Sequence, residues 1–178
     1  GINIAMRQSP QGSAGNIAAV RSGALDLALL GGPPDDLPGI TIHALASEPL
    51  VLVCPSDHHL ARAGGFRVAD VEHERLIDYP PGWGTRAVTD REIPVRHPVI
   101  EVADQNFGIQ LARSGFGITL VPTSVAAAHG GATIVHCTDN DLTWVISIAH
   151  AATRTPSTAA QAVLDVVVEA AGGNVTRR

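Results

Sequence analysis

The sequence contains little positive charge, few aromatic side chains and no long apolar run. Its 12 Lys and Arg against 17 Asp and Glu give a net charge of −5, and aromatic residues make up 3%. Apart from Arg177 and Arg178 the arginines are dispersed, so we expect no nucleic-acid surface on this chain. No stretch approaches the roughly 18 apolar residues of a membrane span. Because no secretory signal pattern is visible either, we predict a cytoplasmic protein without a membrane partner.

Motifs for catalysis and for cofactors are also lacking. The two cysteines, Cys54 and Cys137, have no CxxC spacing, which favours reduced thiols over a disulfide framework. Each closes an apolar strand pattern, where a thiol packs as a small apolar side chain. The sequence has no GxSxG, GxGxxG or P-loop pattern. We therefore predict that the protein is not an enzyme and has no cofactor; a hydrolase or transferase is the third-ranked hypothesis.

One run of potential metal ligands is present, Asp57-His58-His59. Histidine and aspartate are common metal ligands. Adjacent residues rarely point at one ion, however, and no matching His/Cys cluster lies nearby in the sequence. We interpret the run as an exposed turn and predict no metal site.

The first clear element is a helix over 13–22 that ends at Gly23, which suits the left-handed position after a helix. An almost uninterrupted apolar strand follows over 25–30, typical of a strand covered on both faces. The strand breaks at Gly31-Gly32. We interpret these glycines as keeping side chains out of the mouth of a cleft or out of the turn there.

Further helix and strand patterns follow. A helix over 104–114 begins at Asp104 as N-cap and precedes another strand. Near the end of the chain a strand over 143–150 precedes a helix capped by Thr155. This alternation predicts an α/β fold with mostly parallel strand pairing.

Two long apolar strands, 49–54 and 144–149, are the natural crossing points between two lobes. We therefore predict a discontinuous subdomain I formed by 1–52 and 147–178. Subdomain II is then the inserted segment 53–146.

Small and polar residues gather at the starts of helices and the ends of strands. A helix N-terminus exposes unpaired N–H groups and a partial positive charge, so it suits a carboxylate or phosphate. Asp104 has the wrong sign of charge for direct contact with an anion, and a capping role already explains it. The candidate ligand-contacting residues are Ser13, Gly31, Gly32, Gly82, Trp83, Gly84, Thr85, Asp104, Gln105 and Asn106.

A series of segments resembles the effector-binding domain of LysR-type transcriptional regulators, in the expected order and over essentially the whole chain. No single fragment is diagnostic, and the most specific are "GALDLAL", "EPLVLVCPSDH" and "ARSGFGITLVP". The full series is "RSGALDLALLGG", "LPGITIHALASEPLVLVCPSDHHLA", "LIDYPPGWGTR", "EVADQNFGIQLARSGFGITLVPTSVA" and "DLTWVISIAH".

The resemblance implies two Rossmann-like subdomains joined by two crossover strands, the type 2 periplasmic-binding-protein-like fold. It also implies a small-molecule effector bound between them. Ser13 matches a position that often contacts the effector in the family. The loop at 82–85 and the helix start at 104–106 match segments that face the same cleft. Members of the family act as homodimers or homotetramers.

We therefore expect the effector-sensing domain of a LysR-type regulator, whose effector shifts the arrangement of the oligomer. The helix N-termini give a weak preference for a carboxylate effector. DNA is expected to be bound only by a winged helix-turn-helix upstream, and a strand and a helix of subdomain I are expected before Ile2. The alternative hypothesis is an extracytoplasmic solute-binding protein of a transport system.

Overall fold

The computed structural model describes residues 3–33 and 35–172. The chain divides into two compact units that differ slightly from the predicted subdomains, because the division falls at 47/48 and 144/145 and the segment 82–84 joins the first unit. Unit 1 comprises 1–47, 82–84 and 145–178, and unit 2 comprises 48–81 and 85–144.

Helices and strands are interspersed along the described residues, as expected for an α/β fold. The elements in chain order are α1 (Gly12–Ser22), β1 (Ala28–Gly32), β2 (Ile40–Cys54), α2 (His59–Ala63), α3 (Val68–Val71), β3 (Arg75–Asp78), α4 (Gly84–Glu92), β4 (His97–Glu101), α5 (Gln105–Arg113), β5 (Ile118–Pro122), α6 (Thr123–Ala128), β6 (Thr133–Val135), β7 (Thr143–Ala151) and α7 (Thr158–Ala170). The alternation is not strict, because β1 and β2, α2 and α3, and β6 and β7 follow one another directly.

Two strands run from one unit into the other. The predicted strands "ITIHAL" and "PLVLVC" form one 15-residue strand, β2, which continues through Pro49. Strand β7 passes the second boundary. The chain therefore crosses between the units on β2 and β7, where the apolar runs of the sequence lie.

Unit 1 is built around α1, β1 and the outer part of β7. Helix α1 ends at Gly23 in the left-handed conformation, φ 83°, as predicted. Strand β1 begins at Ala28 and not at Leu25, because Leu25 donates its N–H to Ala19 O and so completes the helix end. The strand continues through Gly31 and Gly32, and its burial alternates, with Leu29 exposed, so the predictions of a break at these glycines and of cover on both faces are wrong. Strand β1 then pairs antiparallel with β7. Val20, Leu30 and Ala149 belong to the buried core of this unit.

Unit 2 contains the mixed part of the strand pairing. Strand β3 runs parallel to β4 and to β5. Strand β2 is antiparallel to β5 and β6. The prediction of mostly parallel pairing is therefore wrong, because β2 enters this unit as a crossover strand and not through a βαβ connection. Leu50, Leu52, Phe66 and Leu120 are among its fully buried side chains.

The terminal helix α7 begins later than predicted. Its N-cap is Ser157, whose side chain accepts the N–H of Ala160, so the predicted cap at Thr155 is wrong. The helix ends at Ala170, and Gly172 has a positive φ of 87°. Ala160 and Leu164 are buried. Across the described ranges no helix is both long and apolar enough to cross a membrane.

Candidate functional site

The candidate residues of unit 1 meet where α1 begins and β1 ends. The Ser13 hydroxyl donates to the Gly31 carbonyl oxygen at 2.8 Å and accepts the Gly31 N–H at 3.0 Å. Both polar backbone groups of Gly31 are therefore bonded to one side chain. This pair fixes the first turn of α1 against the last residues of β1.

The glycines at 82 and 84 allow backbone segments to approach one another. The Gly82 carbonyl oxygen accepts the N–H of Ala14 at 3.0 Å, and Gly82 has φ +93°. A Cβ on Gly84 would overlap the carbonyl group of Gly31 and the backbone nitrogen of Gly32. The Trp83 ring lies beside Gly12, where a Cβ would come within 3.0 Å of Cδ1. Residues 82–84 therefore form a tightly packed seam with α1 and β1.

This arrangement changes the expected role of the α1 N-terminus. The N–H of Ala14 points at Gly82 O, and the single hydroxyl hydrogen of Ser13 is donated to Gly31 O. An anion at this helix start would compete with both bonds. Ser13 retains one acceptor lone pair, because a serine hydroxyl has one donor and two acceptor sites.

The candidate residues of unit 2 lie at the starts of α4 and α5. Gly84 and Thr85 belong to helix α4, so the prediction of a loop over the whole segment 82–85 is wrong. Thr85 is buried, and its Oγ1 accepts a hydrogen bond of 2.8 Å from Gln105 Nε2. This bond joins the first turn of α4 to the first residue of α5.

Asp104 caps α5, as predicted. Its Oδ1 accepts the N–H of Phe107 at 2.7 Å. Asn106 Oδ1 lies 2.9 Å from His129 Nε2, just beyond the end of α6. Other N–H groups in the first turn of an α-helix have no intrahelical acceptor, so the α5 start is suited to a negatively charged group.

A partly buried ion-pair network supports the start of α4. Asp78, 2% exposed, accepts a bond of 2.9 Å from Arg96 Nε. Arg86, which follows Thr85, donates to Tyr79 O at 3.0 Å and to Asp90 at 2.7 Å. Burial opposes the charge of Asp90, but its bonds to Arg86 and Arg96 outweigh burial and lower its pKa. The network fixes α4 against β3 and thereby orients Thr85.

The two cysteines do not have the character of nucleophiles. Burial, followed by the charges of Glu74 and Asp57, raises the pKa of Cys54 to about 11. Burial also raises the pKa of Cys137, whose thiol donates to Asp139. Since the thiolate is the reactive form, both side chains are protonated at neutral pH and act as packing groups.

The structure places the ten candidate residues in two groups. Within the unit 1 group the contacts above join Ser13 to Gly31, and Gly82 and Gly84 to the same seam. Within the unit 2 group Gln105 is bonded to Thr85, whereas Asn106 is bonded to His129. The peptide bond from Gly84 to Thr85 connects the groups along the chain. Their contact with an effector stays a prediction. The unit 1 group is Ser13, Gly31, Gly32, Gly82, Trp83 and Gly84, and the unit 2 group is Thr85, Asp104, Gln105 and Asn106.

The sequence of the chain matches the family model described as the LysR substrate binding domain over residues 3–172. The chain belongs to the LysR substrate-binding domain family. This match confirms the resemblance predicted from the sequence. It supports an effector-sensing domain of a LysR-type regulator over a solute-binding protein of a transport system.

Curated relatives include regulators from several bacteria. The chain is 32% identical over 106 residues to the HTH-type transcriptional regulator CfxR of Cupriavidus necator. This alignment covers 57% of this chain and 33% of CfxR. It is 34% identical over 114 residues to the RuBisCO operon transcriptional regulator of Acidithiobacillus ferrooxidans. This second alignment covers 58% of this chain and 35% of that regulator. The matches thus span about a third of the length of these relatives.

Solved structures confirm the fold. The effector-binding domain of QuiR in complex with shikimate superposes with a TM-score of 0.79 at 20% identity, covering 93% of this chain and 80% of that one. The regulatory domain of Synechocystis CcmR in complex with 2-PG superposes with a TM-score of 0.78 at 19% identity, covering 92% of this chain and 81% of that one. The BenM effector-binding domain with benzoate superposes with a TM-score of 0.68 at 23% identity, covering 89% of this chain and 75% of that one. The chain therefore has the type 2 periplasmic-binding-protein-like fold of these domains.

Proposed function

We propose that this LysR-family domain binds a small carboxylate effector through residues of both groups, and that binding regulates transcription. The observation that carries the proposal is the family match over 3–172. Two of the neighbouring domains hold shikimate and benzoate, which are carboxylates. The exposed first turn of α5 provides N–H groups suited to such an anion.

The domain has no catalytic role in this proposal. The effector binds one arrangement of a cytoplasmic homodimer or homotetramer more tightly than another, which shifts the population toward that arrangement. The required coupling is about 1–3 kcal/mol. DNA is bound by a separate helix-turn-helix domain of the full-length regulator.

Gln105 is the best residue for a test, because it can change charge without losing its structural bond. In Gln105→Glu the carboxylate can accept a bond from the Thr85 hydroxyl, so we expect the fold to persist. The added negative charge repels a carboxylate effector at the α5 start. We expect affinity to fall at least about tenfold, since like charges in contact cost several kcal/mol.

The measurement is isothermal titration calorimetry with shikimate, benzoate and 2-PG as probes, followed by a wider set of small carboxylates. Gln110→Glu is the matched control, because Gln110 is exposed on the same helix and distant from its first turn. Equal affinity of Gln105→Glu and wild type for a carboxylate would contradict the proposed contact. If only uncharged or cationic ligands bind, the carboxylate class is wrong and the sensing function stands.

A further inference from the structure

A cluster of potential metal ligands lies in unit 2, outside the two groups of candidate effector residues. His58 Nε2 is 3.4 Å from Glu74 Oε2, and His59 Nε2 is 3.1 Å from Glu74 Oε1. One ligand atom from each residue lies within 4.8 Å of the other two. Sequence reasoning missed the cluster, because Glu74 is far from the two histidines along the chain.

The backbone explains why two adjacent histidines converge here. His58 is the N-cap of α2 and has an extended conformation, φ −64° and ψ 144°, whereas His59 is the first helical residue. The change from extended to helical backbone turns both rings to the same side. Their centroids are 4.5 Å apart with a tilt of 32°. The usual argument against adjacent ligands therefore fails at this helix start.

The spacing suits a transition-metal ion. Zinc binds imidazole nitrogen and carboxylate oxygen at about 2.0–2.2 Å, so two ligand atoms of a tetrahedral site lie roughly 3.3 Å apart. Each histidine faces a different oxygen of Glu74, with nitrogen–oxygen distances of 3.4 Å for His58 and 3.1 Å for His59, so both carboxylate oxygens are placed to share the ion. Two imidazoles and one carboxylate match the preferences of zinc and its neighbours in the periodic table.

Charge and access also favour a cation. The side chain of Glu74 is 15% exposed and that of His59 is 69% exposed, so the cluster is half-enclosed and open to solvent on the His59 side. In the described part of the chain the ion pairs of Glu74 are with these two histidines. The negative charges of Glu74 and Asp57 both raise the pKa of Cys54, so the surroundings of the cluster are negatively charged.

We propose that His58, His59 and Glu74 bind a divalent transition-metal ion of the zinc class, with water completing the coordination. Binding requires a lone pair on each ligating nitrogen. His58 Nδ1 accepts the N–H of Leu60 at 3.3 Å, so the proton of its neutral ring is on Nε2. Coordination through Nε2 moves this proton to Nδ1 and ends the bond to Leu60. The ion therefore replaces the His58 cap as the group that holds the start of α2.

The test is a calorimetric titration of the chain, prepared without a polyhistidine tag, with Zn²⁺ and with Co²⁺. We expect one equivalent to bind, and the visible absorption of Co²⁺ to show a low-coordinate site. His59→Ala removes one ligand from an exposed position, and Glu74→Gln removes the carboxylate. Each is expected to weaken binding at least about tenfold, because changes even to outer-shell partners of a metal cost 10–100-fold.

His73→Ala is the matched control, since His73 is exposed and adjacent to Glu74 but outside the cluster. Zn²⁺ should raise the melting temperature of wild type and His73→Ala and not that of His59→Ala. Absence of binding to the wild-type chain would overturn the proposal. Equal binding by wild type and His59→Ala would also overturn it, by assigning the ion to other histidines.

Discussion

Gly84 and Thr85 are neighbours in the chain, yet different interactions hold them in place. Gly84, in unit 1, fits against the backbone of Gly31 with no room for a side chain. Thr85, in unit 2, is held through its hydroxyl by Gln105. The following residue, Arg86, belongs to the network of charged side chains.

This difference separates two ways of holding a candidate ligand-contacting residue in place. In the unit 1 group the segment 82–84 relies on backbone packing, because a Cβ added at Gly82 or Gly84 would come within 3.0 Å of neighbouring atoms. The unit 2 group relies on side-chain hydrogen bonds, which can be altered one at a time. Ligand binding is therefore better tested by substitutions in unit 2. The contribution of backbone packing to stability is better tested by substitutions in unit 1.

The largest effect is expected for the side-chain network. Arg96→Ala leaves Asp78, 2% exposed, without its shortest ion pair. Breaking a buried pair from one side costs about 3–5 kcal/mol of unfolding free energy. Urea denaturation measures the loss. Arg91→Ala is the control, because Arg91 pairs with Glu92 at the surface and such pairs contribute about 0–1 kcal/mol. Equal losses in the two variants would contradict the network's role.

The next effect tests the backbone seam. Gly84→Ala places a Cβ on the Gly31 carbonyl group, and we expect a loss of about 3 kcal/mol from overpacking. Gly130→Ala is the control, because a Cβ there meets nothing within 4 Å. The control should stay within about 0.5 kcal/mol of wild type. A Gly84→Ala chain as stable as the control would remove the distinction between the two units.

A smaller effect is expected at the bond between α1 and β1. Ser13→Ala leaves the N–H and carbonyl of Gly31 without the Ser13 hydroxyl, which costs about 1–2 kcal/mol. Ser22→Ala, at an exposed hydroxyl that bonds within its own helix, serves as the comparison. We expect denaturation midpoints to fall only in Ser13→Ala. A full loss of effector binding with no loss of stability would instead make Ser13 purely a ligand contact.

The smallest expected effect is a dependence on pH. The bonds of Asp90 to Arg86 and Arg96 lower its folded pKa below the ordinary value of 3.8, against the opposing effect of burial. The contribution of Asp90 to the free energy of unfolding is therefore fully present above its ordinary pKa of 3.8, and it is lost as pH falls through the lower folded pKa. Denaturation at several pH values below 5 should show a steeper decline for wild type than for Asp90→Asn. Because Asp90 is half exposed, solvent screening keeps the difference small.

Local signals in the sequence predicted the elements that depend on a few adjacent residues. Gly23 caps the end of α1 and Asp104 caps the start of α5, because each cap is a property of its own turn. The error at α7 is also local. Thr155 and Ser157 are both good caps, and only the position of the first helical turn decides between them.

Features that depend on distant residues were not visible in the sequence. Helix α4 starts inside a Pro/Gly-rich segment, and its start is stabilised by contacts to Gly31 and Gln105. The direction of β2 follows from its passage between units and not from its apolar pattern. Glu74 approaches His58 and His59 only in the folded chain. The candidate site residues were therefore identifiable as turn and cap residues, whereas their bonding partners were not.

Contact of one effector with both groups is tested most directly by amide NMR of the isotope-labelled chain during titration with a carboxylate that calorimetry shows to bind. If one effector contacts both groups, we expect the perturbed amides to include 13, 31–32 and 82–84 in unit 1 and 85 and 104–106 in unit 2. Perturbations confined to one group, or centred on other residues, would contradict the claim that one effector is contacted by both.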